Sequence, residues 1–172
     1  MTAPLELSTT RLQLRQFVHD DWRAMHGHYG DAECTRSTFG RALSEADSWR
    51  MVATMCGHWM LRGYGPYAVV ETSSGEVVGT VGLWYPLDWP EVEIKWALRR
   101  RFWGQGYAAE AVRAVHAMAL LHFNGQPPIS FINASNERSI RLALAVGATF
   151  EANRRFREQD WVVYRHAASA TV

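Results

Sequence analysis

One stretch near the middle of the chain, Arg99-Arg-Arg-Phe-Trp-Gly-Gln-Gly-Tyr-Ala-Ala-Glu-Ala111, joins two patterns of different period. Upstream, Glu91 to Leu98 alternates, with Glu91, Glu93 and Lys95 on one face and Val92, Ile94, Trp96 and Leu98 on the other, as a strand does. Downstream, from about Tyr107 to Phe123, Ala108, Val112, Val115, Ala119 and Leu120 recur at helical spacing. A strand that enters a helix and returns to the same sheet gives a parallel neighbour, so this junction constrains the topology of the whole chain. The junction also suits an anion. The first turn of a helix has unpartnered N–H groups at the positive end of the peptide dipoles, and glycines let a ligand approach them closely. Three arginines would add charge nearby. A tight turn with a solvated basic rim is the plainer alternative.

The remaining elements fall around that unit. Thr10 to Gln16 alternates through Leu12 and Leu14 and predicts a strand, and His19 to Tyr29 predicts a helix stopped by Gly30. A less regular stretch follows, and then Ser44-Glu-Ala-Asp47 opens a helix that runs to Gly63. Tyr67 to Glu71 and Val77 to Trp84 flank a polar turn and predict an antiparallel hairpin. After the central helix, Asn124-Gly-Gln-Pro-Pro128 breaks the chain. Ile129 to Ile132 predicts a strand, Asn136 to Val146 a helix capped by Gly147, and Thr149 to Arg154 with Trp161 to Arg165 a final strand pair. This order describes a mixed α/β sheet with helices on its faces.

At 172 residues the chain fits one domain spanning 1–172. A net charge of +1 gives no global reason to expect nucleic acid or a membrane surface as partner, so any basic site must be local. Cys34 and Cys56 form no Cys-x-x-Cys pair and suit a reducing cytoplasm. The histidines are scattered, and His26 and His28 lie on different sides of a helix, so no metal site is expected. No targeting segment or long apolar run is apparent, and the expectation is a soluble cytoplasmic protein.

Gly104-x-Gly106-x-x-Ala109 formally meets a dinucleotide-fold fingerprint, but that fold needs an acidic residue about 20 positions later to hold a ribose, and Ile129 to Ser135 contains none. The Gly-x-x-x-x-Gly-Lys pattern of a P-loop is absent. Taken from Arg101, the segment Arg101-Phe-Trp-Gly104-Gln-Gly106 resembles the Arg/Gln-x-x-Gly-x-Gly/Ala motif of the GNAT superfamily of acetyl-CoA-dependent N-acyltransferases. Arg62-Gly-Tyr-Gly-Pro66, Gly79-x-Val-Gly-Leu-Trp84, Trp89-Pro-Glu-x-Glu93, Trp103 to Glu110 and Asn136-Glu-Arg-Ser-Ile140 resemble its RimJ/RimL-like branch and recur in that branch's order. The resemblance implies a mostly antiparallel sheet of about seven strands, helices on both faces, and a parallel pair at a cofactor cleft.

The resemblance also implies roles. The pyrophosphate of coenzyme A would lie on the loop of Arg101, Phe102, Trp103, Gly104, Gln105, Gly106, Tyr107 and Ala108, and the pantetheine arm along Trp96, Ala97 and Leu98, with Asn136 touching that arm. Asn136 is equally suited to be an ordinary helix N-cap. Transfer of an acetyl group to an amine needs a group that takes the amine's proton, since alkyl amines are mostly protonated at neutral pH. Glu93 matches the family carboxylate, with Glu91 on the same face as the other option and a solvated strand charge as the plain alternative. Lys95 could pair with Glu93, lower its pKa and weaken it as a base. The tyrosine that many relatives use to protonate the thiolate is here Ala143, so Ser139, which matches a serine of the branch, is the candidate acid. A backbone N–H near Ala97 or Leu98 would polarise the thioester carbonyl. Tyr64, Trp84 and Trp89, with Tyr67 and Tyr85 nearby, are candidates for an acceptor wall, and core packing is the competing role.

The expected activity is acetyl transfer to a primary amine of a peptide N-terminus, an amino acid or a small molecule, with a homodimer left open. A non-catalytic acyl-CoA-binding module is the alternative, motivated by Lys95 and the absent tyrosine. An RNA-contacting basic loop at Arg99 to Arg101 is a third.

Overall fold

The computed structural model describes residues 2–122 and 127–169. Eight strands form one sheet: β1 (Glu6–Ser8), β2 (Leu12–Arg15), β3 (Pro66–Glu71), β4 (Val77–Trp84), β5 (Glu93–Leu98), β6 (Ile129–Asn133), β7 (Thr149–Phe156) and β8 (Gln159–Arg165). Their spatial order is β1-β2-β3-β4-β5-β6-β8-β7, and β5 with β6 is the parallel pair among antiparallel neighbours. The helices are α1 (Asp21–Tyr29), α2 (Ala32–Thr35), α3 (Glu45–Arg62), α4 (Tyr107–His122) and α5 (Glu137–Ala145), with a 3-10 turn at Arg100–Phe102.

The mixed sheet with one parallel pair agrees with expectation, and two short elements are additional. β1 has three residues, too few for alternation to be visible, and is held by antiparallel pairing with β2. α2 lies in the stretch expected to be irregular, where the Asp31 carboxylate accepts the N–H groups of Glu33 at 2.9 Å and Cys34 at 3.4 Å. The α3 boundaries follow the sequence signals: Ser44 Oγ accepts the Asp47 N–H at 3.1 Å, and Gly63 ends the helix at φ 72°. The expected helix end at Phe123 and most of the break at 124–128 lie outside the described residues, and α4 is described to His122.

Both faces of the sheet are covered. α4 packs Ala111, Val112 and Val115 onto Leu14, Val81 and Ile94, while α1 and α3 set Met25, Val52 and Met55 against Val70, Val77 and Trp84 on the other side. Strands covered on both sides read as unbroken apolar runs, which accounts for Val77-Val-Gly-Thr-Val-Gly-Leu-Trp84. No helix among the described residues is long and apolar enough to cross a membrane.

A buried polar link runs from the end of β8 to the parallel pair. His166, 2% exposed, contacts Ser130 Oγ through Nε2 at 2.9 Å, and the Ser130 hydroxyl donates to the Ile94 carbonyl at 3.2 Å. Burial, and then the neighbouring His116 and Arg165, push the His166 pKa down to about 3. The unfolded chain therefore binds a proton on this residue below about pH 6.5 while the native chain does not, so its stabilising contribution is present above that pH and is lost as pH falls. In denaturant titrations, wild type should lose about 1.6 kcal/mol more stability than His166→Gln between pH 6.5 and pH 5. Parallel pH profiles for the two proteins would contradict the burial of a neutral imidazole.

Candidate active site

The site follows from where β5 and β6 stop pairing. The Arg99 N–H donates to the Val78 carbonyl at 3.0 Å, and the β4–β5 register places Ala97 opposite Thr80 and Lys95 opposite Gly82. In an antiparallel ladder the polar main-chain groups of alternate residues point the same way, so those of Lys95 and Ala97 face β4 while those of Ile94, Trp96 and Leu98 face β6. On that side, β6 is in register only at Glu93 with Ile129, supported by an Ile129 N–H bond to the Val92 carbonyl at 3.0 Å. One step further on, the Phe131 N–H bonds not to a strand carbonyl but to Glu93 Oε2, at 3.0 Å. The strands then diverge and leave the main-chain edge of Trp96 to Leu98 along a cleft of ≈970 Å³.

The glycine loop closes one end of that cleft. Gly104 and Gly106 have φ of 75° and 80°, in the left-handed region where a side chain is strained. The Phe102 and Trp103 N–H groups are used inside the 3-10 turn, on the Arg99 and Arg100 carbonyls. From Gly104 to Ala109, by contrast, no main-chain N–H has an acceptor among the described residues, and this run leads into the N-terminus of α4. Arg11 fixes the loop from outside by donating to the Gln105 carbonyl at 3.0 Å while pairing with Glu110 at 2.7 Å. The three arginines already have partners: Arg99 with the Val77 carbonyl at 2.8 Å, Arg100 with Asp31 at 2.8 Å and Arg101 with Glu76 at 2.6 Å. The Arg101 guanidinium is therefore held by the β3–β4 hairpin, and the loop's free anion donors are main-chain groups.

Glu93 is 5% exposed and is not a solvated strand charge. Burial raises its pKa to about 7, against the lowering effects of the Phe131 N–H, the Lys95 charge and the nearby Trp89 indole. The expected lowering by Lys95 is thus outweighed by desolvation, which in turn lowers the Lys95 pKa. Glu91 lies elsewhere, paired with Arg165 at 2.7 Å on the protein exterior. Ser139, in the first turn of α5, accepts the Trp96 indole N–H at 3.1 Å, which leaves its own hydroxyl hydrogen to donate. Asn136 caps α5 by accepting the Ser139 N–H at 3.2 Å, and it also lines the cleft.

Trp84 and Trp89 line the cleft as well, Trp84 stacked on His58 with centroids 4.8 Å apart and Trp89 packed among Phe131, Phe156 and Trp161. Tyr64, expected in the acceptor wall, is buried at the α3–β3 connection with its ring 5.3 Å from that of His58 and is not among the residues that line the cleft. Tyr67 is likewise in the core, its hydroxyl donating to the Pro4 carbonyl at 2.7 Å. Its position in a strand covered on both sides is what the count of aromatics could not reveal.

Sequence inspection missed His28, whose Nδ1 lies 2.9 Å from the Leu98 carbonyl inside the cleft, with its pKa pushed down to about 4 chiefly by burial. Only the contact between α1 and the end of β5 distinguishes it from the other histidines. Cys34 also lines the cleft, but burial raises its pKa to about 11 and keeps it a thiol, a poor nucleophile.

Comparison with known proteins names the class to which this geometry belongs. The model of the acetyltransferase (GNAT) domain matches residues 11–149. The chain belongs to the GNAT family, and it is an acetyltransferase. It is 25% identical over 138 residues to the uncharacterized N-acetyltransferase p20 of Bacillus licheniformis, covering 79% of this chain and 78% of that protein. An acetyltransferase of Agrobacterium tumefaciens superposes with a TM-score of 0.83 at 26% identity, over 97% of this chain and 96% of that one. Two more distant structures share the fold: the ribosomal-protein-S5-alanine acetyltransferase of Vibrio fischeri (TM-score 0.71, 13% identity, 94% and 96% coverage) and the microcin C7 self immunity acetyltransferase MccE in complex with acetyl-CoA and AMP (TM-score 0.72, 13% identity, 91% and 92% coverage).

A carboxyl that titrates near neutrality is directly observable. Carbon-13 NMR of glutamate-labelled protein should show one side-chain carboxyl with its midpoint near 7, absent from Glu93→Gln. If every glutamate titrates in the ordinary range, the burial described here is wrong.

Proposed function

We propose that the chain acts as one domain that moves an acetyl group from acetyl-CoA to a primary amine by direct transfer, and that it belongs to the RimJ/RimL-like branch its motifs resemble. The observation that carries this reading is the juxtaposition, in one cleft, of a buried carboxyl raised toward neutrality with a main-chain edge and a run of free N–H groups.

The residues present fit acetyl-CoA. Free N–H groups from Gly104 to Ala109 suit its pyrophosphate, and the main-chain groups of Trp96 with the Leu98 N–H suit a pantetheine arm laid beside them, the Leu98 carbonyl being taken by His28 and the Trp103 indole. Acetyl-CoA supplies the acetyl group as a thioester. Glu93 takes the proton that the amine must lose, and its raised pKa makes it a stronger base at neutral pH than an exposed carboxylate. The Leu98 N–H polarises the thioester carbonyl, since the Ala97 N–H is committed to β4. The Ser139 hydroxyl, oriented by the Trp96 indole, hydrogen-bonds the departing sulfur. Attack by the amine itself requires no covalent enzyme intermediate.

Glu93→Gln keeps an acceptor for the Phe131 N–H but cannot take a proton. Its kcat/KM for an amine substrate should fall about 100-fold, and the rise of activity with pH through about 7 should disappear. Acetyl-CoA affinity should change less than about threefold. Unaltered turnover and an unaltered pH profile would remove Glu93 from the chemistry.

A further inference from the structure

Lys95 is a charged group of the cleft that the steps above leave unused. It lies two residues from Glu93 on the same face of β5 and lines the same cleft. The arginines that line the cleft each meet a carboxylate: Arg36 and Arg138 meet Glu33, Arg141 meets Glu137, and Arg157 meets Asp88. No carboxylate comes within ion-pair distance of Lys95 among the described residues. Its close contact is the Trp84 ring, with Nζ 4.7 Å from the centroid.

The groups around the ammonium do not neutralise it. From its own strand, Glu93 acts on it electrostatically, but the Glu93 carboxyl is turned to the Phe131 N–H. His28 of α1 gives its Nδ1 hydrogen to the Leu98 carbonyl, and burial keeps that ring neutral. His58 of α3 is bonded at both nitrogens, through Nδ1 to the Tyr64 carbonyl and through Nε2 to the Tyr85 N–H, so it too is neutral. Trp84 of β4 offers only its ring face. A half-buried cation with no ion-pair partner among the described residues is less favourable than one in water and is well placed to receive an anion.

Residues two apart on a strand are separated by roughly 7 Å. A ligand that brings an anion to Lys95 and an amine to Glu93 therefore carries the two groups close together, as an α-amino carboxylate does. Trp84, Trp89, Phe131 and Trp161 wall the cleft nearby and suit an apolar or aromatic substituent. A peptide N-terminus fits less well, because its first carboxyl is an amide and brings no charge.

We propose that Lys95 determines acceptor specificity by holding the carboxylate of a free α-amino acid, with an apolar or aromatic side chain, whose amine is presented to Glu93. The inference rests on the role proposed above for Glu93. In the reaction the nitrogen–acyl bond forms, the carbon–sulfur bond breaks and one amine proton passes to Glu93, while the leaving sulfur takes the Ser139 hydroxyl proton to become the thiol of coenzyme A and the proton held by Glu93 returns through solvent to Ser139. Lys95 undergoes no bond change.

The test compares initial rates with acetyl-CoA for phenylalanine, leucine and methionine against their α-carboxamides, on wild type, Lys95→Met and Lys95→Arg, with acetyl-CoA calorimetry to show that each variant is folded. Wild type should favour each acid over its amide by about tenfold or more in kcat/KM, expressed mainly in KM. Lys95→Met should bring that preference to within about threefold, and Lys95→Arg should restore most of it. Equal wild-type rates for acids and amides, a result that needs no variant, overturn the inference and leave acetyl transfer standing. A preference that survives in Lys95→Met does the same. Absence of turnover of both series also overturns it, and the acetyl-transfer reading falls with it only if peptides and other primary amines fail as well.

Discussion

The hydrogen bond from the Phe131 N–H to Glu93 Oε2, at 3.0 Å, stands where a parallel sheet would continue its ladder. A side-chain carboxyl accepts the hydrogen in place of a main-chain carbonyl, and β5 and β6 part immediately beyond their register at Glu93 and Ile129. Several features depend on that substitution. It leaves one edge of β5 open, creates the cleft, and buries the carboxyl that the proposed chemistry needs. The Ser130 hydroxyl bond to the Ile94 carbonyl, backed by His166, braces the same place from the other side of the gap.

Burial of Glu93 has competing electrostatic consequences. Desolvation disfavours the carboxylate, while the Phe131 N–H and the Lys95 charge favour it, and desolvation prevails. The result is a group poised near neutrality, where a proton acceptor works best at physiological pH. Lys95 moves in the opposite sense for the same reason, since leaving water disfavours its ammonium. The glycine loop shows a related economy: its arginines serve the scaffold through Asp31, Glu76 and the Val77 carbonyl, so the free donors are backbone N–H groups fixed by the fold.

Much of this was legible in the residues because it depended on local pattern. The change from period two to helical period across Gly104 and Gly106 located the parallel pair, and the alternation of Glu91 to Leu98 assigned Glu93 and Lys95 to the correct face. Alternation does not say whether a face is covered. By pattern alone Glu93 reads equally well as a solvated charge, Glu91 and Glu93 are equivalent, and the burial of Tyr64 is invisible. Their surroundings come from α1, α3 and β8, which are distant in sequence. His28 and the Phe131 N–H became visible only when α1 met the end of β5 and when β6 diverged. β1 and α2 are too short to carry a pattern of their own.

The central claim is that the open edge of β5 and the free N–H groups from Gly104 onward hold acetyl-CoA. A Cβ added at Gly104 would meet no protein atom within 4 Å, yet at φ 75° a branched side chain is strained and would project from the donor loop itself. Isothermal calorimetry with acetyl-CoA on wild type and Gly104→Val, compared at matched folded content, tests this most directly. The account predicts saturable binding to wild type and a loss of affinity of about tenfold or more in the variant. Affinity that stays within about twofold of wild type would contradict it.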